Sequence, residues 1–416
     1  MTPKITVITP TNSLKWYRQA KVSLLYQTFA DWEWVVLFNG GVFEESDDPR
    51  IKCVQSLIGL ENVGALKREA CMHATTDFIV EFDHDDELDR DCLNAVLSEF
   101  EKTGADFVYS DDAHVHQSGK PYLYGREYGW VARPSDFHGR REEKLISYRR
   151  PSFLPQNVSR IWYAPDHVRA WRREAYWKVG GHDASMRVLD DQDLMCRMFV
   201  AGAKFSHIPR CLYKYVVHQN NTWLVNNEEI QERTIQLHDF YIEAMALTHW
   251  QAAGKDCIDL GGAIDSPAGW KACDVHDAPV TANLDEKWPF EDGSVGVFRA
   301  HDIIEHLKNP VHTMNEAWRC LTHGGLLLIE VPSTDGRGAF QDPSHVSFWN
   351  SNSFWYYTRE AQARYIRHLG LKCRFQVVRM LDYYPSPWHR TNLIPYVRCH
   401  LAAIKSPEVL HGLIQI

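Results

Sequence analysis

The sequence predicts an α/β protein of two successive domains, each with a mostly parallel sheet covered by helices. Short β-branched runs alternate with helix-forming stretches over residues 5–101, and the alternation returns from residue 257 to about residue 384. Such alternation is typical of parallel strands joined by helical connections. The 416 residues, with 44% hydrophobic and 12% aromatic content, suffice for two ordinary cores.

The elements of the first half follow from the spacing of its apolar residues. Strands are predicted at residues 5–9, 33–38, 78–82 and 207–215, and helices at residues 13–26, 64–73, 89–101 and 194–201. A polar, helix-prone stretch at residues 226–247 separates the two halves. We therefore expect a first domain at 1–224, a helical linker at 225–254, a second domain at 255–385 and a C-terminal extension at 386–416.

The composition narrows the class of protein. Ten cysteines are scattered without a Cys-x-x-Cys pair, which favours reduced thiols over a disulfide or metal framework. The N-terminus lacks the apolar region of a signal peptide, and no apolar run approaches the roughly 20 residues of a membrane helix. We expect a soluble, cytoplasmic protein without an integral membrane segment.

Three carboxylates follow a short apolar strand in the stretch FIVEFDHDDEL, residues 78–88. The carboxyl ends of parallel strands are where such sheets bind ligands. Asp83 and Asp85, two positions apart, can hold Mg²⁺ or Mn²⁺, which typically bridges to phosphate oxygens. The alternative is an acidic N-cap for the helix predicted at residues 89–101.

Six segments in register resemble the family 2 glycosyltransferases of the GT-A fold, a Rossmann-like nucleotide-sugar domain, across residues 4–222. They are ITVITPTN (5–12), VVLFNGG (35–41), ENVGALKREA (61–70), FIVEFDHDDEL (78–88), ADFVYSDD (105–112) and the segment from VGGHDASMRVLDDQDL onward (179–209). The resemblance implies a nucleotide-diphosphate sugar donor such as a UDP-sugar, a divalent metal, Mn²⁺ or Mg²⁺, and inversion at the anomeric carbon.

The resemblance also implies a role for individual residues. Asp191 matches the general base, with Asp190 beside it, although both carboxylates could simply cap the helix predicted at 194–201. Asp85 would be the direct metal ligand, and His218 would complete the shell or be structural. The expected donor site comprises Pro10, Thr11 and Asn12 at the nucleotide, Asn39 in place of the usual aspartate near the base, Lys67 at the diphosphate, Arg68 next to it where the family often has Asn, and Asp83.

The second half resembles class I S-adenosylmethionine-dependent methyltransferases across residues 255–360, in segments such as CIDLGGAIDSPAGWKACDV and NEAWRCLTHGGLLLIEVPS. The resemblance implies a cofactor turn at Gly261 and Gly262, a ribose contact at Asp274 and an adenine contact at Asn283. A Gly-Gly-Ala turn and an amide in place of the usual acid depart from the pattern. The domain is therefore either a second, methyl-transferring enzyme or a structural or acceptor-binding module.

A further segment of the second half, DPSHVSFW, joins an acid, a histidine and aromatic residues. One interpretation is an active-site segment carrying Asp342 and His345. The other is a rigid loop held by aromatic packing. The sequence leaves both open.

Residues 126–178 carry twelve Lys/Arg against six Asp/Glu, in a chain with a net charge of −9, and they interleave many aromatic residues. One interpretation is a solvated surface; the other is a site for an anionic acceptor. That acceptor would be a surface-glycan precursor or a hydroxymethylated pyrimidine in DNA, as for bacteriophage DNA-modifying glycosyltransferases. The candidate contacts are Arg149, Arg150, Trp162 and Arg172, with Arg140, Arg141 and Arg173 in the same stretch. A sugar-nucleotide-binding scaffold without catalysis is the non-enzymatic alternative.

Overall fold

The first part of the chain folds around a sheet whose first strand in the sequence, Ile5–Thr11, is almost completely buried. The computed structural model describes residues 2–59, 62–125, 130–141, 143–160, 162, 164–263 and 265–406. The chain divides into two compact units, Met1–Phe153 with Arg160–Tyr241, and Leu154–Ser159 with Ile242–Ile416.

The first unit begins with the segments that the apolar period predicts. Its early elements are β1 (Ile5–Thr11), α1 (Leu14–Leu25), β2 (Trp32–Phe38), β3 (Ile51–Gln55), α2 (Val63–Met72), β4 (Phe78–Glu81), β5 (Glu87–Leu88) and α3 (Cys92–Thr103). The remaining elements are β6 (Phe107–His116), β7 (Val131–Pro134), β8 (Ile146–Arg149), β9 (Arg169–Arg172), α4 (Arg173–Lys178), α5 (Asp190–Val200), β10 (Phe205–Val217), α6 (Thr222–Val225) and α7 (Asn227–Ala252), which runs on into the second unit.

The sheet of the first unit has the order β3-β2-β1-β4-β9-β6-β10-β5. Strands β1, β2, β3 and β4 pair in parallel, as do β6 and β10, whereas β9 lies antiparallel between β4 and β6. Helix α1 starts at Ser13, whose side chain accepts a hydrogen bond from the Trp16 amide, and it packs Tyr17 against Trp34. The parallel half therefore presents the carboxyl ends of β1, β2 and β4 along one edge.

One predicted boundary in this unit is wrong. Helix α5 begins at Asp190, not at residue 194, and Leu189 with φ 62° precedes it. Its first turn carries Asp190, Asp191 and Asp193, and negative charge near a helix N-terminus is favourable. The two candidate catalytic carboxylates thus lie within the helix and are held by its backbone.

The second unit contains a seven-stranded sheet of order β13-β12-β11-β14-β15-β17-β16. Its elements are β11 (Asp256–Leu260), β12 (Lys271–Asp274), β13 (Val280–Thr281), β14 (Val295–His301), α8 (Pro310–Cys320), β15 (Leu321–Pro332), α9 (Gly338–Gln341), α10 (Trp355–Thr358), α11 (Glu360–Ala363), β16 (Phe375–Tyr383), α12 (Pro387–Thr391) and β17 (Tyr396–Ala403). The strands from β11 to β15 pair in parallel, as the alternation predicts.

The segment assigned to a C-terminal extension contributes to this sheet. Strand β17 is antiparallel to both β15 and β16 and lies between them, with most of its residues buried. The prolines and histidines before it hide the strand in the sequence, and residues 407–416 lie outside the described residues. All ten cysteines are free thiols. None of the helices in the described part of the chain combines the length and apolarity needed to span a bilayer.

Candidate active site

A cleft of about 850 Å³ opens in the first unit at the carboxyl edge of its parallel strands. Pro10, Thr11 and Asn12 line it at the end of β1, and Asn39 lines it just after β2. A cleft of this volume suits a ligand the size of a nucleotide sugar. The residues predicted at the nucleotide are therefore brought together in one cavity.

The predicted metal residues meet on one wall of this cleft. Asp83 and Asp85 follow β4, and the Oδ2 atom of Asp85 lies 2.7 Å from the Nε2 atom of His218. The imidazole of His218 stacks on Trp16, with 5.5 Å between ring centroids. Carboxylate oxygens beside an imidazole nitrogen form a donor set that Mn²⁺ accepts. The Asp85–His218 pair therefore offers two ligands of a kind that fits a divalent cation, and Asp83 lines the same cleft.

Asp83 also belongs to a second group of candidate metal ligands, together with Asp86 and His167. Ligand atoms of Asp83, Asp86 and His167 lie within 4.8 Å of one another. Asp86 is buried, and its Oδ1 atom accepts a hydrogen bond from the Val216 amide. Burial, then the nearby Asp85 and Asp83, raise the pKa of Asp86 well above its ordinary value. Asp86 therefore anchors β10 to the acidic loop.

A buried ion-pair network connects the base of the cleft to α5. Glu81, the last residue of β4, lies with its Oε1 atom 2.9 Å from Lys67 Nζ and 2.5 Å from Arg169 Nη2. Lys67 Nζ also lies 3.1 Å from Asp190 Oδ2, and Arg169 Nη1 lies 2.6 Å from Asp191 Oδ2. Each of the two α5 carboxylates is thus tied to Glu81 through one cation.

The network sets the protonation of its members. Burial raises the pKa of Asp190 to about 6, an effect that Lys67 opposes and that Asp191 and Glu81 reinforce. Burial alone would raise the pKa of Glu81, but Arg169 and Lys67 lower it overall. The side chain of Asp190 is 5% exposed, whereas that of Asp191 is 24% exposed. Both residues line the cleft, and Asp191 is the more exposed of the two.

Lys67 and Arg68, two neighbouring residues of the predicted donor site, have different surroundings. Lys67 lines the cleft, but its ammonium is shared by Glu81 and Asp190. Arg68 does not line the cleft; its guanidinium donates to the carbonyl oxygens of Gly180 and His182. The placement of Arg68 in the donor site therefore stays a prediction, since its side chain here holds the turn at Gly180–His182 and lies outside the cleft lining.

The arginines predicted to contact the acceptor have surroundings of several kinds. Arg150 lines the cleft but is only 1% exposed, and its guanidinium pairs with Asp112 at 2.7 Å and Asp166 at 3.1 Å. Arg172 pairs with Asp106 and donates to the Ala105 carbonyl. Neither Arg149, which is exposed, nor Arg172 lines the cleft, whereas Trp162 does. Of the remaining arginines of this stretch, Arg140 and Arg141 are exposed, and Arg173 donates to the Ala74 carbonyl.

Arg150 and its neighbour Arg149 allow a matched test of the structural role of the buried Arg150–Asp112 ion pair. Replacing Arg150 with Met leaves Asp112 buried without its cation, so we expect unfolding to become easier by about 3–5 kcal/mol. Replacing the exposed Arg149 with Ala should change the free energy of unfolding by no more than about 0.5 kcal/mol. Urea denaturation of both variants measures the difference. Equal effects would contradict the structural role of Arg150.

Several residues in and around the site were not predicted from the sequence. Glu81 could have been found from the sequence, because a carboxylate inside a buried apolar strand needs a charged partner. Arg169, His167 and Trp16 give no such signal, because their neighbours in the cleft are distant in the chain. Other unpredicted side chains that line the cleft are those of His84, His114, Tyr124, Trp130, Asp166, Tyr215 and Trp223.

In the second unit, the predicted cofactor residues lie at the carboxyl edge of its sheet. Gly261 follows β11 with φ 77°, which favours glycine, and a Cβ atom at Gly262 would lie 2.2 Å from the Asp259 carboxylate. Asp274 ends β12 and Asn283 follows β13. The bare backbone turn and the strand-end carboxylate are a donor set that fits a nucleoside cofactor such as S-adenosylmethionine. Asp342 is exposed and accepts from Ser344, while His345 lies beside Glu305.

Comparison with known proteins supports both halves of this description. Residues 6–180 match the family model described as "Glycosyl transferase family 2", and residues 266–329 match the model described as "Methyltransferase domain". None of the curated proteins matches the chain.

Similar solved structures include three crystal structures of S. aureus TarS. The first is 15% identical over 58% of this chain and 43% of the TarS chain, less than half the length of that protein, with a TM-score of 0.39. TarS 1–349 with UDP is 16% identical over 60% of this chain and 72% of the other, with a TM-score of 0.41. TarS 1–349 with UDP-GlcNAc is 14% identical over 60% and 73%, with a TM-score of 0.40. By its family matches, the chain joins a region similar to family 2 glycosyltransferases, residues 6–180, to a region similar to methyltransferase domains, residues 266–329.

Proposed function

We propose that the first domain transfers a sugar from a nucleotide-diphosphate donor, a UDP-sugar, to an acceptor hydroxyl with inversion and with the help of a divalent metal. The observation that carries the proposal is that the Asp85–His218 pair and Asp191 line the same cleft. The Asp85–His218 pair would hold a cation whose charge offsets that of the departing diphosphate. Asp191 would act as a base for the attacking hydroxyl. Inverting transfer needs both in one cavity.

The metal would be held by Asp83, Asp85 and His218. A bound Mn²⁺ or Mg²⁺ neutralises the negative charge that builds on the leaving diphosphate. The nearby positive charges are already used, because Lys67 and Arg169 pair with Glu81 and the α5 carboxylates. This shortage of unpaired cations supports a requirement for metal.

Asp191 would accept the proton of the acceptor hydroxyl. Its Oδ2 atom is held by Arg169 and its Oδ1 atom by the Gln192 amide, so the carboxylate has a fixed direction. Lys67 holds Asp190 behind it in the same way. A base in a fixed position needs less reorganisation in the transition state.

The acceptor wall favours a glycan over DNA. Tyr124, Trp130, Trp162 and Trp223 line the cleft and offer aromatic faces for a sugar ring. Arg150 is saturated by its two aspartates, and Arg149 and Arg172 lie off the cleft, which weakens the case for a polyanion. A hydroxymethylated pyrimidine flipped from DNA is the alternative, since it too would stack on aromatic rings.

A donor screen with Mn²⁺ tests the proposal and its acceptor together. Radiolabelled UDP-sugars are offered with glycan acceptors and with hydroxymethylated DNA in parallel, at 50 and 200 mM salt (conditions chosen to span the steep range for DNA). We expect label on a glycan with little dependence on salt. Label on DNA with a steep loss at high salt, about 0.9 in log–log slope per neutralised phosphate, would establish the DNA alternative. A chain that binds donor but labels nothing would be the non-catalytic scaffold.

The second domain adds one more alternative, a bifunctional glycosyl- and methyltransferase. Its bare turn at Gly261 and Gly262 supports S-adenosylmethionine binding. Calorimetric titration of the full chain with S-adenosylmethionine tests this directly. Absence of binding would leave the domain a structural or acceptor-binding module.

A further inference from the structure

A cluster of one carboxylate and two imidazoles lies in the second unit and shares no residue with the cleft of the first unit. Glu305 and His306 belong to the 3₁₀ turn Ile304–His306, which follows β14, and His345 lies in the loop after α9. Their candidate ligand atoms all lie within 4.8 Å of one another. The cluster is at the same sheet edge as Gly261, where a Cβ atom would touch the side chain of Ile303.

In the described part of the chain, the carboxylate of Glu305 is buried without a hydrogen-bond donor that would offset the loss of its hydration. The residue is 2% exposed, and neither of its carboxylate oxygens has a hydrogen-bond partner among the described residues. A carboxylate in such a place is costly unless a cation or a donor lies beside it. The surroundings of Glu305 therefore favour a bound cation.

The two imidazoles are oriented as metal ligands are. His345 Nδ1 lies 3.0 Å from the carbonyl oxygen of Ala339, and His306 Nδ1 lies 3.2 Å from that of Ser344. A carbonyl oxygen only accepts, so each Nδ1 carries the proton and each Nε2 keeps a lone pair. A backbone carbonyl behind the ring is the usual outer partner of a metal-binding histidine.

The loop that carries His345 is fixed to the turn that carries Glu305. The amides of Val346 and Ser347 both donate to the Glu305 carbonyl oxygen at 2.9 Å, and the Ser347 hydroxyl donates to the Ile304 carbonyl oxygen. The buried Trp349 in turn donates to the Ser347 hydroxyl. This scaffold holds the three side chains together without using any of their ligand atoms.

We propose that Glu305, His306 and His345 bind a divalent transition-metal ion in the second domain. Two imidazoles and one carboxylate suit Zn²⁺, or another metal with affinity for nitrogen, better than Mg²⁺ or Ca²⁺. Ligands about 2.0–2.2 Å from such an ion are roughly 3–3.5 Å apart, which small side-chain rotations reach. Three protein ligands leave a position for water or a substrate oxygen, so the site has the composition of a catalytic rather than a closed structural centre.

Other groupings of metal-binding side chains in the described residues do not share these features. In the grouping of Asp112, His114 and Asp166, the guanidinium of Arg150 already provides the positive charge. The grouping of Asp83, Asp86 and His167 belongs to the cleft of the first unit. Of these three groupings of described residues, the Glu305 cluster is the one that neither pairs with a guanidinium nor belongs to the cleft of the first unit.

The test uses the full chain after treatment with a chelator. Crystals of the wild-type protein loaded with Zn²⁺ should show anomalous density between Glu305, His306 and His345. In solution, the Asp85→Ala chain, which removes the ligand proposed for the first domain, should still bind one Zn²⁺. Adding Glu305→Gln or His345→Ala to it should weaken Zn²⁺ binding by more than the 10–100-fold typical of losing an outer partner.

His368→Ala, which changes an exposed histidine elsewhere in the second unit, is the matched control and should leave Zn²⁺ binding unchanged. Thermal melts with and without Zn²⁺ show whether each variant is folded and whether the metal stabilises it. Zn²⁺-loaded crystals without anomalous density at the cluster would overturn the proposal. Unchanged affinity in the folded Glu305→Gln and His345→Ala chains would do so as well. The outcome is independent of whether the first domain transfers sugar.

Discussion

Asp191→Asn should reduce sugar transfer by roughly 10²–10⁴-fold and leave donor binding nearly unchanged. The amide keeps the size of the carboxylate but cannot take the proton of the acceptor hydroxyl. Because proton removal belongs to the transition state, kcat and kcat/KM should fall together. Steady-state rates with labelled donor measure the loss, and calorimetry with the same donor measures the binding that is retained.

Asp193→Asn is the matched control for this substitution. Asp193 lies in the same first turn of α5, but it pairs with Arg197 and accepts from the Tyr241 hydroxyl, and it does not line the cleft. Its loss should lower stability and spare the rate of transfer. A near-normal rate for Asp191→Asn, or lost donor binding in a folded Asp191→Asn protein, would remove Asp191 as the base.

The contrast between Asp190 and Asp191 illustrates what the sequence could and could not predict. The motif LDDQDL contains both residues, and it is the family resemblance that assigns the base to Asp191 with Asp190 beside it; the two residue types alone give no physical reason to prefer one. The structure separates them by burial, since Lys67 covers Asp190 while Asp191 remains partly exposed. The exposure of each of two adjacent carboxylates depends on the direction of the helix that carries them, and packing sets that direction.

Local elements were predictable because their signal is local. The alternation of apolar residues predicted β1, β2, β4 and helix α1 within a few residues. Strand β9 escaped, since it pairs antiparallel with β4, more than 80 residues earlier in the chain. The same distance separates Glu81 from Arg169. Long-range pairs of this kind leave no periodic trace in a single sequence.

The arginines of residues 126–178 show a different limit of sequence-based prediction. Counting charges along residues 126–178 gave an excess of basic residues but no information on burial. Arg150 and Arg149 are neighbours in the chain and opposite in environment, one buried between two aspartates and the other exposed. In an extended strand successive side chains point to opposite faces, so one of the pair faces inward. A basic stretch therefore does not define a basic surface.

The second large effect is expected from the metal ligands. Asp85→Ala should lower transfer by orders of magnitude, and EDTA should do the same to the wild-type protein, because the diphosphate would depart with its charge unneutralised. His218→Ala keeps both aspartates, so it should raise the Mn²⁺ concentration needed for activity and be rescued by excess Mn²⁺, whereas Asp85→Ala should not. Rates across a Mn²⁺ titration distinguish the two variants. Asp91→Ala, which removes an acid just before α3, controls for loss of charge alone. Full activity in excess EDTA, or in the Asp85→Ala protein, would mean that the acidic loop after β4 has a role other than holding a catalytic cation.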